Sequence, residues 1–232
     1  MRINHLETAC AWVAFLLLGI GIAMAVSAHF HKRSLPQGLR SPVLAMELLH
    51  DRSDVSKILG TSKGRDDDKY QMVVQMYLDF AFIPTYTTLF LLVGAVLYYH
   101  GDRRLAIIIG VLVISAAVFD LLENRAILRV IKDAASPGKG PRVWSLTKWA
   151  LIFGVVALAA RVYFVGQLPA FRRLLGFVAG GFGLVAAVLG LSGVVFGADR
   201  LIEVGSWFMA LNLLGGLVFF VTHSCALRSP AR

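Results

Sequence analysis

Six long apolar runs, separated by short charged or Pro/Gly-containing turns and by one hydrophilic stretch, organise this chain. The runs lie near Thr8 to Ala28, Met72 to Tyr99, Leu105 to Leu122, Trp144 to Val165, Phe171 to Phe196 and Glu203 to Cys225. Each can cross a hydrocarbon core of about 30 Å, which takes roughly 20 helical residues. The pattern therefore predicts an all-α fold: a polytopic transmembrane bundle of six spans, one integral membrane domain over residues 1–232, with one amphipathic helical loop between spans 1 and 2. Composition agrees, since 57% of residues are hydrophobic and 16% charged, where a soluble domain carries about 25% charge. No stretch is left for a separate soluble catalytic domain. The first run imitates a signal peptide at Val26-Ser27-Ala28, but it runs well past the roughly 7–15 residues of a secretory core and has one leading arginine, Arg2. It is read as an uncleaved helix.

The hydrophilic stretch runs from His29 to Lys69. Ser41 followed by Pro42 is a helix start, because proline's missing N–H costs nothing in the first turn. Leu44, Leu48, Val55 and Leu59 then recur near helical spacing, with Glu47, Asp51, Asp54 and Lys57 assigned to the other, polar side. A second short helix can restart at Ser53 and Asp54. The segment is either a solvated loop whose apolar stripe rests on the bundle, or an interfacial helix or lid. Thr61 to Lys69, with Gly64 and the Asp66-Asp67-Asp68 run, reads as a flexible turn with weak capacity for a divalent cation.

Charge changes the picture only at the edges. The arginine pairs Arg103-Arg104 and Arg172-Arg173, with Arg228 and Arg232, argue for cytoplasmic termini in an inner (plasma) membrane. Against this, the connection from Arg129 to Lys148 is equally basic. The net charge of +9 fits membrane lipids as partners, and no basic–aromatic pattern implies nucleic acid. Cys10 and Cys225, at the outer turns of the first and last spans, read as small apolar residues rather than a pair. Gly176 with Gly180 and Gly193 with Gly197 have small-xxx-small spacing, which serves tight internal packing and, as an alternative, a homo-oligomer through spans 5 and 6. Asn212, polar and deep in the last span, is expected to tie two helices together.

The acids are the informative residues. A carboxylate at membrane depth costs several kcal/mol unless it faces protein or water. Asp79, Ile83 and Tyr86 follow i, i+4, i+7, with Pro84 between them, and Asp120, Glu123 and Asn124 follow i, i+3, i+4. Counted along antiparallel helices, Asp79 and Asp120 lie toward the same membrane face. That face also receives Trp144 and Lys148, His29, and Asp199, Arg200 and Glu203. The candidate site is therefore Asp79, Asp120 and Glu123 as acid–base groups, with Tyr86, Asn124, Lys148 and Arg125 as binding groups. The alternative is a structural network in which Lys148 or Arg125 neutralises Asp79 or Glu123, while Trp144, Trp149, Tyr77 and Trp207 form an aromatic belt.

The D-x4-P-x-Y of Asp79, Pro84 and Tyr86, followed by the D-x2-E-N of Asp120, Glu123 and Asn124 and then Lys148, resembles a group of small, poorly characterised bacterial polytopic membrane proteins. The resemblance covers about the first 165 residues, and spans 5 and 6 are additional here. It supports the site and implies no activity.

Three classes of function fit. One is a protein that binds or modifies a lipid-like substrate, with Asp79 and Glu123 as acid and base. A second is a proton-coupled transporter, although no internal repeat is visible. A third is a non-catalytic membrane assembly protein. Zinc and serine hydrolysis both lack their parts, for there is no H-E-x-x-H, no G-x-S-x-G and no histidine in a central span. No cofactor and no metal site is expected.

Overall fold

The computed structural model describes residues 3–31, 34–60, 65–132, 140–165 and 169–226. Among them the helices are α1 (Ile3–Ser27), α2 (Pro42–Glu47), α3 (Arg52–Leu59), α4 (Arg65–Tyr99), α5 (Arg103–Lys132), α6 (Gly140–Ala159), α7 (Ala170–Phe196) and α8 (Asp199–Ala226). A 3₁₀ turn, Pro36–Gly38, precedes α2, and another, Ala160–Phe164, continues α6. Six of these, all but α2 and α3, are long and apolar enough to span a membrane.

Hydrophobic burial between neighbours closes these six into a ring. Each packs on the next in sequence, α1 on α4, α4 on α5, α5 on α6, α6 on α7 and α7 on α8, and α8 returns to α1. Short connections force antiparallel neighbours from α4 to α8, and across the longer stretch before α4 the Gln75 amide donating to the Met24 carbonyl sets the end of α1 beside the start of α4. The ends of α1, α5 and α7 and the starts of α4, α6 and α8 therefore share one face of the ring. The outer surface is apolar, with Phe15, Ile107, Val111, Ile114, Phe177, Val188 and Leu214 exposed, as lipid-facing positions must be when every backbone group is satisfied inside its own helix.

The helices exceed the apolar runs at the site. α5 continues ten residues past Leu122 to Lys132, so Glu123, Asn124 and Arg125 stand on a formed helix and not at its end. α4 begins at Arg65, with Asp66, Asp67 and Asp68 in its first turn, where carboxylates complement the helix dipole. These residues were expected in a flexible turn. Asp68 is buried, with His31 Nδ1 at 2.9 Å, and no metal-holding cluster exists among the described residues. Positions 61–64 and most of the Ala134 to Pro141 turn lie outside those described, as does the side chain of Cys225. Cys10 is a buried free thiol.

The stretch between α1 and α4 forms a cap on the shared face. Ser41 caps α2 by accepting from the Leu44 N–H, with Pro42 in the first turn. Asp51 caps α3 in a reciprocal box with Asp54, and hydrogen bonds from Ser53, its hydroxyl foremost, hold the Asp51 carboxyl below its ordinary range. The apolar sides of both helices are buried by the bundle. Leu44, Met46, Leu48, Leu49 and Leu59 are 5% exposed or less, packed with Met72, Met76, Ile127, Phe153 and Ile202. Arg142 of α6 fixes the cap by donating to the Leu48 carbonyl at 2.8 Å while forking onto Asp199 at 2.9 and 3.0 Å. His50 Nε2 lies 2.9 Å from the same carboxylate.

In the α7–α8 pair, glycine is required where backbones meet. A Cβ on Gly193 would lie 2.8 Å from the Ile202 backbone nitrogen, and one on Gly190 only 2.1 Å from the Phe153 ring. Asn212 of α8 donates to the Ala179 carbonyl of α7 at 2.8 Å, joining the two helices.

Candidate functional site

Three helical stripes and one cap residue meet around a single ammonium. Lys148 of α6 lies 2.6 Å from Glu123 Oε2, 3.1 Å from Asp120 Oδ1 and 3.2 Å from Glu47 Oε2. Glu123 is fully buried, and Asp120 and Lys148 nearly so. Tyr86 of α4 donates its hydroxyl to Asp120 Oδ2 at 3.1 Å. Asn124 of α5 donates to Asp79 Oδ2 at 2.6 Å, closing the α4–α5 side. At 1.5 Å per residue, the α5 and α6 groups stand about 12 to 20 Å in from the capped ends of their helices. The environment is low in dielectric, where such pairs hold geometry strongly and an unpaired member is costly.

Six of the seven residues read from the sequence are thus brought together. Asp79 reaches the group through Asn124, and no bond joins it to Lys148. Arg125 is not in the cluster: one position on from Asn124, it turns to the exposed surface of α5. The groups from α8 go elsewhere, because Asp199 and Glu203 hold the cap. His29 is exposed.

Glu47 is the addition. It had been assigned to the polar side of the cap, yet its Oε2 accepts from Lys148, from the Trp149 indole N–H at 3.0 Å and from the Ser145 hydroxyl at 3.4 Å. Leu44, Glu47 and Leu48 follow i, i+3, i+4 and share one stripe, but in a helix of six residues that spacing alone does not show which side is buried. Trp149, read as belt, is instead a donor to this carboxylate, stacked at 5.4 Å on buried Phe153. Glu123 Oε1, also buried, has no hydrogen-bond partner among the described residues.

Beside the cluster lies a cavity of about 410 Å³ between α1, α4, α6 and α8. Its wall is almost wholly apolar, with Leu17 and Gly21 from α1, Phe82 and Val93 from α4, and Met209 and Leu213 from α8. Along α8 it extends from Ser206 to Phe220, about 20 Å at the helical rise. Tyr86 lines it as well. One side chain therefore belongs to both features, its ring in the cavity wall and its hydroxyl on Asp120. Two other hydroxyl- or amide-bearing side chains, Tyr163 and Asn212, line the deeper part, with Asn212 Nδ2 3.4 Å from the Tyr163 hydroxyl.

No protein-family model, no curated protein and no solved structure matches this chain.

Proposed function

We propose that this integral membrane protein binds a lipid-like molecule in the apolar cavity and presents the molecule's polar group to the acid cluster, where it can be modified by proton transfer. The observation that carries the reading is the double membership of Tyr86. A cavity of about 410 Å³ falls among small-molecule sites of roughly 300–1,000 Å³, which are mostly apolar with a few placed polar groups. An alkyl or isoprenoid chain suits its walls. The polar group would meet the Tyr86 hydroxyl, behind which Asp120 stands as the acid–base group, with Glu123 and Lys148 setting its charge. In this reading Asn124 and Asp79 are positioning residues, since they bond each other and do not line the cavity.

A proton-coupled transporter is the second reading, and one observation favours it. Glu47, Lys148, Asp120 and Tyr86 form an unbroken series of contacts from the cap to the cavity, as a proton route needs.

The test is lipid retention by the purified full chain. Native mass spectrometry should find a long-chain molecule bound, and lipid extract should raise the melting temperature. Gly21 lines the cavity and a Cβ there meets only Phe82 at 4.0 Å, so Gly21→Phe should project its ring into the cavity. It should fold normally and lose the bound molecule. Tyr86→Phe should weaken binding by roughly five- to tenfold, as loss of one hydrogen bond of about 1 kcal/mol implies. A wild-type protein that stays empty and gains no stability from lipid would leave the cluster a structural network. Proton flux in vesicles that depends on Glu47 would favour the transporter.

A further inference from the structure

The first three turns of α8 carry a constellation that the acid cluster does not use and that meets the cap only through Glu203. Glu203, 1% exposed, spends both carboxylate oxygens on its neighbours. Oε1 accepts from the backbone N–H groups of Arg40 and Ser41, each at 2.9 Å, and Oε2 accepts from the Arg200 guanidinium. The Arg40 backbone is thereby fixed to α8 while its guanidinium has no carboxylate partner among the described residues. Both guanidiniums lie over one indole: Arg40 Cζ is 5.7 Å and Arg200 Cζ 5.6 Å from the Trp207 ring centroid. Two cations share one ring and one internal anion, so the constellation carries one positive charge in excess.

Its position gives that charge a use. Trp207, eight residues into α8 from its capped end, is 46% exposed, and exposed tryptophans of membrane proteins gather toward the headgroups. Its neighbour Ser206, followed by Met209, Ala210 and Leu213 along α8, lines the apolar cavity, and Ile22 and Ala25 at the end of α1 line it at the same level. Arg40, Arg200 and Trp207 do not themselves line the cavity; the basic, aromatic-backed clamp stands on the adjoining side of α8, at the level where Ser206 lines it. Guanidinium groups suit phosphate because their forked donors match its oxygens, and stacking on an indole keeps them oriented.

We propose that Arg40, Arg200 and Trp207 bind the phosphate of an anionic phospholipid whose acyl chain enters the cavity between α1 and α8. This rests on the lipid-binding reading above and names its ligand class: the phosphate stands at the clamp, and the polar group that meets Tyr86 is the ester at the head of the acyl chain. Arg40 confers the preference for anionic headgroups, and Arg200 is held ready by Glu203.

The experiment uses the full chain in detergent with phosphatidylglycerol, phosphatidylcholine of the same chains, and inorganic phosphate as probes, read by native mass spectrometry and melting temperature. Phosphatidylglycerol should bind about tenfold more tightly than phosphatidylcholine, with a preference that fades as salt is raised. Arg40→Gln should weaken binding of both lipids, phosphatidylglycerol the more, and so narrow the preference, while retaining the melting temperature of the lipid-free protein. Gly21→Phe should reduce binding of both lipids. Equal affinity for the two lipids in the wild type, with Arg40→Gln silent and Gly21→Phe still effective, would overturn the clamp and leave the lipid reading standing. Binding of neither lipid would remove both. Stabilisation by inorganic phosphate as strong as that by the lipid would overturn the lipid assignment of the clamp.

Discussion

At the scale of single residues, Lys148 decides how the acid cluster behaves. Among the described residues it is the sole cation paired with Glu47, Asp120 and Glu123, so Lys148→Met leaves three carboxyls facing one another in a water-poor interior. Removing one partner of a buried pair costs about 3–5 kcal/mol, and the variant should show that loss in urea or thermal unfolding. Adding Glu123→Gln should restore part of it, because that contact is the shortest, whereas adding Asp79→Asn should restore little, since Asp79 bonds Asn124 instead. A double-mutant cycle measures both couplings. The convergence of Asp79, Tyr86, Asp120, Glu123, Asn124 and Lys148 was legible because α-helical stripes and residue depth are one-dimensional properties. Glu47 was not read correctly because its helix is six residues long, too short for periodicity to settle which face is buried. Arg125 failed for the opposite reason. Proximity in sequence to Glu123 says nothing of side, and one step along a helix turns a residue about 100° away.

At the scale of elements, the cap and the α7–α8 pair show what sequence spacing can and cannot convey. Small residues at four-residue spacing predicted close approach of helices, and the structure turns Gly176, Gly180 and Gly193 inward, together with Gly190, whereas Gly197 is exposed and ends α7 in the left-handed conformation, with nothing within 4 Å of a Cβ there. Which atoms they meet could not be read, because that depends on how α8 and α6 are shifted along α7. Gly193→Ala should destabilise the protein by about 1–3 kcal/mol, the usual cost of forcing a methyl into a packed contact, because the obstacle includes backbone at Ile202. Gly181→Ala, with nothing within 4 Å of its Cβ, should cost nothing and is the control in the same melt. The cap gives a second test. Arg142 bonds both the Leu48 carbonyl and Asp199, so Arg142→Ala removes one tie between cap and bundle, leaving those of Glu47 and Glu203, and leaves a buried carboxylate with His50 alone. Amide exchange across Leu44 to Leu59 should then quicken by at least tenfold while α4 and α5 stay protected. Unchanged protection would mean that apolar burial and the remaining ties hold the cap.

At the scale of the whole molecule, the ring gives the features an order along the membrane normal: clamp and cap at one face, the acid cluster beneath the cap, and beside the cluster, joined to it by Tyr86, the apolar cavity, which runs from the level of Ser206 toward the other face. That order exists only if the six long helices each cross once, since an odd crossing would separate the capped ends of α4, α5 and α6 that supply Asp79, Glu123 and Lys148. The apolar runs indicated six crossings from length alone, but which turns share a side follows from their alternation and not from charge, because the basic residues divide between both faces. Single cysteines at Ser56 in α3, exposed on the cap, and at Gly101 in the α4–α5 turn provide the test, in a chain whose Cys10 and Cys225 are replaced by serine. A membrane-impermeant thiol reagent should label Ser56→Cys from one side of sealed vesicles only and Gly101→Cys from the opposite side only. Labelling of both from the same side would break the ring, detach the cap from the ends of α4 and α6, and put Glu47 out of reach of Lys148. With opposite labelling, the side that reaches Ser56 is also the leaflet from which Arg40 and Trp207 would draw a headgroup, so one measurement fixes the sidedness of cap, cluster and clamp together.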